Sequence, residues 1–268
     1  MPLLLGRLAR RGGSGGRAMA VALAAASVVG AGCAGAGLDP KAALPAAPER
    51  TAAEGTALVT IDRFTVHAEG QIDFARGRML VTVGVGGPTR TRAATTDVLV
   101  ADDRAFTRPT GAAAWSEVSL DTVGLASLPG DLVSGDPFVA LALLRGTDHI
   151  TTFGGLQVQE ASTIRYDLGV DPAAAAAAAV QAGAGPATKA ASLAGRLRRI
   201  AAALSHVVRE DAYLDEKGRV RRLELPENLT LAVPVTRPDT ARVATTIDFS
   251  HFGIPVSIPD PPPVESTG

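Results

Sequence analysis

Apolar and polar residues alternate along much of this chain. In "MLVTVGV", residues 79–85, Met79, Val81, Val83 and Val85 fall on one side, and Leu80, Thr82 and Gly84 on the other. "TIRYDLGV" (163–170) sets Ile164, Tyr166, Leu168 and Val170 against Thr163, Arg165 and Asp167. "LTLAVPV" (229–235) and "VATTIDF" (243–249) repeat the pattern, with Asp248 outward and Phe249 inward. A period of two with one apolar face predicts antiparallel strands covered on one side only. The breaks between them read as hairpins: "FARGR" (74–78), "VADDRAF" (100–106), "LDEKGRV" (214–220) and "TRPDTA" (236–241). Gly77 and Gly218 sit where a left-handed residue is needed.

Helical signals interrupt this pattern. "GDPFVALALLRG" offers Asp136 as N-cap, Pro137 at the first helical position and Gly146 as a stop, and its apolar surface all round predicts burial. "VDPAAAAAAAVQAGAG" repeats the opening with Asp171, Pro172 and Gly183. In "TKAASLAGRLRRIAAALSHV", Leu193, Leu197, Ile200, Leu204 and Val207 form a stripe at helical spacing beside Arg196, Arg198 and Arg199. That stripe packs on the protein itself or, in a sharper reading, on a membrane surface. Alanine offers little to pack, so 173–207 is expected to act as a mobile flap.

The start of the chain reads differently. Arg7, Arg10, Arg11 and Arg17 precede the uncharged run "AMAVALAAASVV" (18–29), and no acidic residue occurs among residues 1–32. This is the layout of a secretory signal, too short to remain as a spanning helix. Cys33, the single cysteine, follows Ala31 and Gly32 directly and resembles the acylated cysteine of a bacterial lipobox, although Gly30 stands where a leucine-like residue is preferred. An ordinary secreted protein cut near "AGA" is the alternative. Residues 1–32 are therefore read as signal peptide, 33–50 as lipidated N-terminus and flexible linker, and 51–268 as one folded domain. Removing 1–32 takes away four of the 26 basic residues and none of the 27 acidic ones, leaving a net charge near −5.

That charge argues against nucleic-acid binding. With Cys33 committed to the anchor, neither a disulfide nor a cysteine-based metal site can form, and His67, His149, His206 and His251 lack ligand-like spacing. No zinc-protease motif or P-loop is present, no dinucleotide fingerprint stands between a strand and a helix, and the glycine-rich "RRGGSGGR" lies in the signal region and not at a nucleophile elbow. Asp102-Asp103 reads as a solvated turn and Trp115 as a core residue opening a strand. The expectation is a protein that is not an enzyme, with no cofactor and no metal.

The order of motifs adds to this. A "GQIDFARGR" hairpin leads to "TTDVLVADDRAFTRP" and "WSEV", then to "DPFVALALL" and "TIRYDLGVD". The chain closes with "AYLDEKGRVRRLEL" and "ATTIDFSHFGIPVSIPDPP". Over residues 56–263 this resembles the LppX/LprG-like lipoproteins of actinobacteria, relatives of the LolA lipoprotein carriers. The resemblance implies an α+β, mainly β fold: an antiparallel half-barrel sheet with helices packed on its concave face and an apolar cavity between the layers. Met79, Val81, Val83, Val85 and Phe138 would line that cavity, together with Leu141, Leu144, Tyr166, Leu168 and Phe249. It further implies a lipoprotein on the extracytoplasmic face of the cell membrane that binds acyl chains of lipids or acylated glycolipids. Such a protein helps carry them through the envelope, with an envelope transporter as candidate partner. The other reading is a surface-anchored interaction module that regulates an envelope sensor or transporter without carrying lipid. A lined cavity and a filled core look alike in sequence; an open dry cleft would favour the carrier, a filled core the interaction module.

Overall fold

The computed structural model describes residues 38–63, 66–85, 95–118, 136–182, 187–203, 207–226 and 243–263. Cys33, the "LTLAVPV" strand, the "TRPDTA" hairpin, Gly183 and Leu204 lie outside them. Helix α1 (Pro40–Ala52) leads into β1 (Thr56–Arg63), β2 (Val66–Asp73), β3 (Arg78–Val85), β4 (Thr95–Ala101), β5 (Arg104–Pro109) and β6 (Ser116–Val118). Then α2 (Pro137–Leu143) and a 3-10 turn (Leu144–Gly146) precede β7 (Thr147–Val158) and β8 (Ala161–Val170). After α3 (Pro172–Ala182) and α4 (Ala187–Ala203) the chain returns as β9 (Val208–Asp215), β10 (Val220–Pro226) and β11 (Val243–Ser250).

These strands form one antiparallel sheet in the order β6-β5-β4-β3-β2-β1-β11-β10-β9-β8-β7. Only the β1–β11 junction joins strands distant in sequence, so two meanders meet there edge to edge. β6 and β7 remain as the ends of an open half-barrel, as expected of a twisted sheet of this width, which curls. A Cβ on Gly70 would run into the Leu80 carbonyl oxygen and come within 2.7 Å of the Val81 Cα, so β2 approaches β3 there as only glycine allows.

Register places the expected apolar residues on one face. A continuous row of cross-strand partners runs Thr96, Val83, Ala68, Ile61, Ile247, Leu223, Ala212, Tyr166, Thr152. The helices lie over this concave face, and their buried residues belong to the same apolar cluster. The convex face is polar except where the tail after β11 covers it: Leu99, Ala101 and Phe106 pack there with Leu80, Trp115 and Ile258. Ser257 N donates to Gln71 Oε1 at 2.8 Å and Arg78 pairs with Asp260 at 2.5 Å, fixing that strap.

Turn chemistry agrees with the sequence at Gly77 (φ 64°) and Gly218 (φ 73°), and at Asp102-Asp103 (φ 53° and 60°). Two expectations are corrected. The linker 33–50 is not flexible throughout, because α1 begins at Pro40, capped by the Asp39 carboxylate accepting from Lys41 N at 3.1 Å. Ala43, Leu44 and Ala47 are buried in the core, which is what holds a helix carrying Pro45 and Pro48. Val207 does not continue the α4 stripe: it lies next to β9 and is 47% exposed. Gly70→Ala is expected to cost about 1–3 kcal/mol by overpacking this close approach. A lowered urea midpoint checks this; an unchanged midpoint would show that β3 can lift away from Gly70.

Candidate functional site

The structure brings the expected lining residues together. Met79, Val81, Leu141, Leu144, Tyr166, Leu168 and Phe249 are each at most 4% exposed and share one cluster, with Val83 at 8%. Phe138 is half-buried and packs against it, its ring edge-on to Phe74 at 6.4 Å, while Phe74 lies 6.1 Å from Phe249. Val85 pairs with Val66 at the end of β3, but its side chain lies outside the described residues. With exposures this low, the layer between sheet and helices is closed around these residues: the apolar cavity that the resemblance implies is filled by side chains, which is the arrangement that favours an interaction module.

Local chemistry fixes the roof. The Asp136 carboxylate accepts from Phe138 N at 2.8 Å and Val139 N at 3.3 Å, starting α2 as its sequence predicts. The other oxygen of Asp136 takes Arg196 of α4, and both side chains are largely buried, so one carboxylate caps α2 and ties α4 to it. Leu197 and Ile200 point into the core, which settles the α4 stripe as a packing face. In contrast, α3 buries only Pro172, Ala175, Ala176 and Ala179. It packs on the 3-10 turn, where Gly146 O accepts from Asp171 N at 2.8 Å. A Cβ on Gly146 would come within 2.7 Å of Ala175 N, so the close approach needs glycine.

Polar groups within the apolar layer were not foreseen. Arg63, Thr245 and Glu210 are buried to 2% or less, and Glu210 and Thr245 have no side-chain hydrogen-bond partner. The signal was in "VVREDAYLD": alternation of Val208, Ala212 and Leu214 puts Glu210 on the inner face. Tyr166, also on this face, has its hydroxyl pKa raised by burial. A polar cleft of about 750 Å³ opens elsewhere, at the β8–β9 and β10–β11 strand ends, and contains none of the expected lining residues. Asp215 in that cleft is resisted by burial, but hydrogen bonds from Arg219 and Arg221 outweigh this and hold its pKa below the usual range. Among the described residues no group of three metal-ligating side chains gathers, and no helix is long and apolar enough to cross a membrane.

Burial, with a smaller push from the Asp211 charge, raises the Glu210 carboxyl well above its ordinary 4.5. The folded protein thus keeps a proton that the unfolded chain gives up. The stability this contributes is full below the unfolded value and is lost as pH rises through the folded one. Glu210→Gln, which cannot ionise, is expected to gain on the wild type steadily as pH rises from about 4 towards 9. Urea midpoints across that range measure the gap; a gap that stays constant would mean Glu210 ionises as an ordinary carboxyl.

No family model and no curated protein matches the chain. Among solved structures it is similar to LprF from Mycobacterium bovis, at 13% identity, over 83% of this chain and 96% of that one, with a TM-score of 0.48. LppX, a lipoprotein of Mycobacterium tuberculosis, is similar at 12% identity, over 83% of this chain and all of that one, with a TM-score of 0.43. A LolA superfamily protein from Nitrosomonas europaea is similar at 10% identity over 84% and 96% of the two chains, with a TM-score of 0.25.

Proposed function

We propose that this protein is a membrane-anchored lipoprotein that takes acyl chains of a lipid or acylated glycolipid between its sheet and its helices. It helps carry them through the cell envelope from the extracytoplasmic face of the membrane, without catalysing a reaction. The observation that carries this reading is the mismatch between floor and roof. The floor carries an apolar row unbroken from Val83 to Tyr166 across most of the sheet, whereas α3 meets the rest of the roof through alanines and a glycine. Burying alanine forfeits little apolar area when it is undone, so α3 is the inexpensive place to part the layers. The closed layer is then the empty state, and the apolar side chains now touching one another are those an acyl chain would cover.

A second reading has its own observation. Edge strand β7 is exposed from Thr151 to Gln157, with Phe153 at 43% and Leu156 at 49%, and an unpaired edge invites strand addition by a partner. That favours an interaction module acting on an envelope sensor or transporter.

Val83→Trp separates the readings. In a carrier the indole takes space meant for the chain. Each buried methylene is worth about 0.8 kcal/mol, so displacing four weakens binding by about 3 kcal/mol, over a hundredfold. In the closed empty state the indole overpacks the layer and costs about 1–3 kcal/mol of stability on either reading, so lipid retention decides. The carrier reading expects wild type to bring lipid from a native membrane extract and the variant to bring none, read by native mass spectrometry; a variant that retains lipid would place the chain elsewhere. Wild-type protein that never carries lipid would leave the interaction module.

The anchor is tested on its own. Cys33→Ala is expected to abolish incorporation of radiolabelled palmitate and to release the protein from the membrane fraction. Label persisting in the Cys33→Ala protein would place acylation elsewhere or refute it.

A further inference from the structure

One inner row differs from the rest. Arg63 pairs across the sheet with both Val66 and Thr245, and Thr245 with Leu225. The β9–β10 register, Leu223 with Ala212 and Glu224 with Asp211, carries Leu225 towards Glu210, and Glu210 faces Leu168 on β8. Two members of this row lack partners: both carboxyl oxygens of Glu210 and the hydroxyl of Thr245 are buried and accept or donate no hydrogen bond. The same-face neighbours of Glu210 on its own strand are Val208 and Ala212, while Asp211 points the other way, to Arg165 at 2.8 Å. Buried polar side chains are nearly always paired in folded proteins, and each exception calls for a reason. Here two exceptions lie on one face, one strand apart from each other, roughly 10 Å between backbones.

We propose that Glu210 and Thr245 form a polar socket in the apolar layer that receives the free hydroxyls of an uncharged acyl lipid's headgroup. This rests on the acyl-carrier reading and names the ligand chemistry within it. Burial favours the protonated form of the Glu210 carboxyl, and in that form it donates one hydrogen bond and accepts others, as a threonine hydroxyl does. The partner satisfying both is a group that also donates and accepts, which an alcohol does and a methyl ester does not. A carboxylate ligand accepts from both groups but donates to neither, so it leaves their acceptor lone pairs unmet. An ammonium ligand would require Glu210 to ionise inside the layer. Arg63 bounds the socket on the β1 side, and the row through Val83, Ile61, Leu223 and Tyr166 gives the chain its apolar bed.

The test compares two probes with the same chain, 1-monooleoylglycerol and methyl oleate, in equilibrium binding to purified lipid-stripped protein. Wild type is expected to bind monooleoylglycerol at least about tenfold more tightly, the equivalent of about 1.4 kcal/mol. Glu210→Leu should bind the two probes equally, with methyl oleate affinity unchanged and a melting temperature no lower than wild type, because it removes an unpaired buried group. Glu210→Gln, which still donates and accepts, should keep most of the preference. Thr245→Val should lose part of it, and that variant decides the matter should Glu210→Leu fail to fold. Undiminished preference in Glu210→Leu and Thr245→Val overturns the socket and leaves the acyl-carrier reading standing. Tighter wild-type binding of oleate or oleylamine than of monooleoylglycerol overturns the hydroxyl chemistry. Failure of wild type to bind any of the four probes removes the carrier reading, and the socket with it.

Discussion

The pairing of β1 with β11 is the joint on which the rest depends. It runs in register from Leu58 with Ser250 to Arg63 with Thr245 and unites two meanders that the chain builds far apart. Without it the inner row would break between Ile61 and Ile247, and the helices would have two half-floors in place of one. The joint is long-range; Thr56 and Ile254, bonded beside it, are 198 residues apart. Loop-closure entropy grows only with the logarithm of length, so the distance is tolerated, but these contacts reward folding late. The tail after β11 adds to the same joint, with Gly253 N donating to Thr56 O at 2.9 Å before the strap crosses the convex face.

That convex face shows how the alternation is kept honest. Asp97 accepts from Thr82, Arg108 and Thr110, which outweighs the burial that would otherwise raise its pKa and holds it below the usual range. Arg222 forks onto Asp248 at 2.6 and 2.9 Å across β10 and β11, and Arg165 reaches Asp211 across β8 and β9. These are cross-strand pairs on the solvent side. A one-residue slip of any strand would carry them into the apolar layer, so they specify register more than they add stability.

The strands legible in sequence are those whose alternation is unbroken: β3, β8 and β11. Their apolar positions identified the inner face, and Met79, Val81, Tyr166, Leu168 and Phe249 lie on it together. Helix α1 was illegible because Pro45 and Pro48 argue against a helix and Leu44 is the one large apolar side chain among its buried residues. What stabilises it is tertiary: Thr51 Oγ1 donates to Ala47 O at 2.7 Å and accepts from Val220 N at 2.9 Å. Glu210 and Arg63 were illegible for another reason. A charged residue in a strand is ordinarily assigned to water, and only counting parity along β9 and β1 places these two among apolar neighbours.

The directional bonds of the roof divide it unequally, and this bears on how the layers could part. α1 belongs mechanically to the sheet, through Thr51 to Val220 and Glu54 to Arg219 at 2.9 Å. The 3-10 turn is tied to α1 by Arg145 and Glu49 at 2.8 Å, so it is anchored at one remove. α2 and α4 are tied to each other by Asp136 and Arg196 in a buried pair that would be costly to separate, so they move as a unit or not at all. α3 joins the anchored turn to the α4 side with alanine contacts and one backbone hydrogen bond from Asp171. Any opening that spares the buried ion pair must therefore swing α2 and α4 together about the anchored turn, with α3 as the compliant link. The apolar contacts under α2 and α4, from Leu141, Leu197 and Ile200, are non-directional and set no preferred path for that movement.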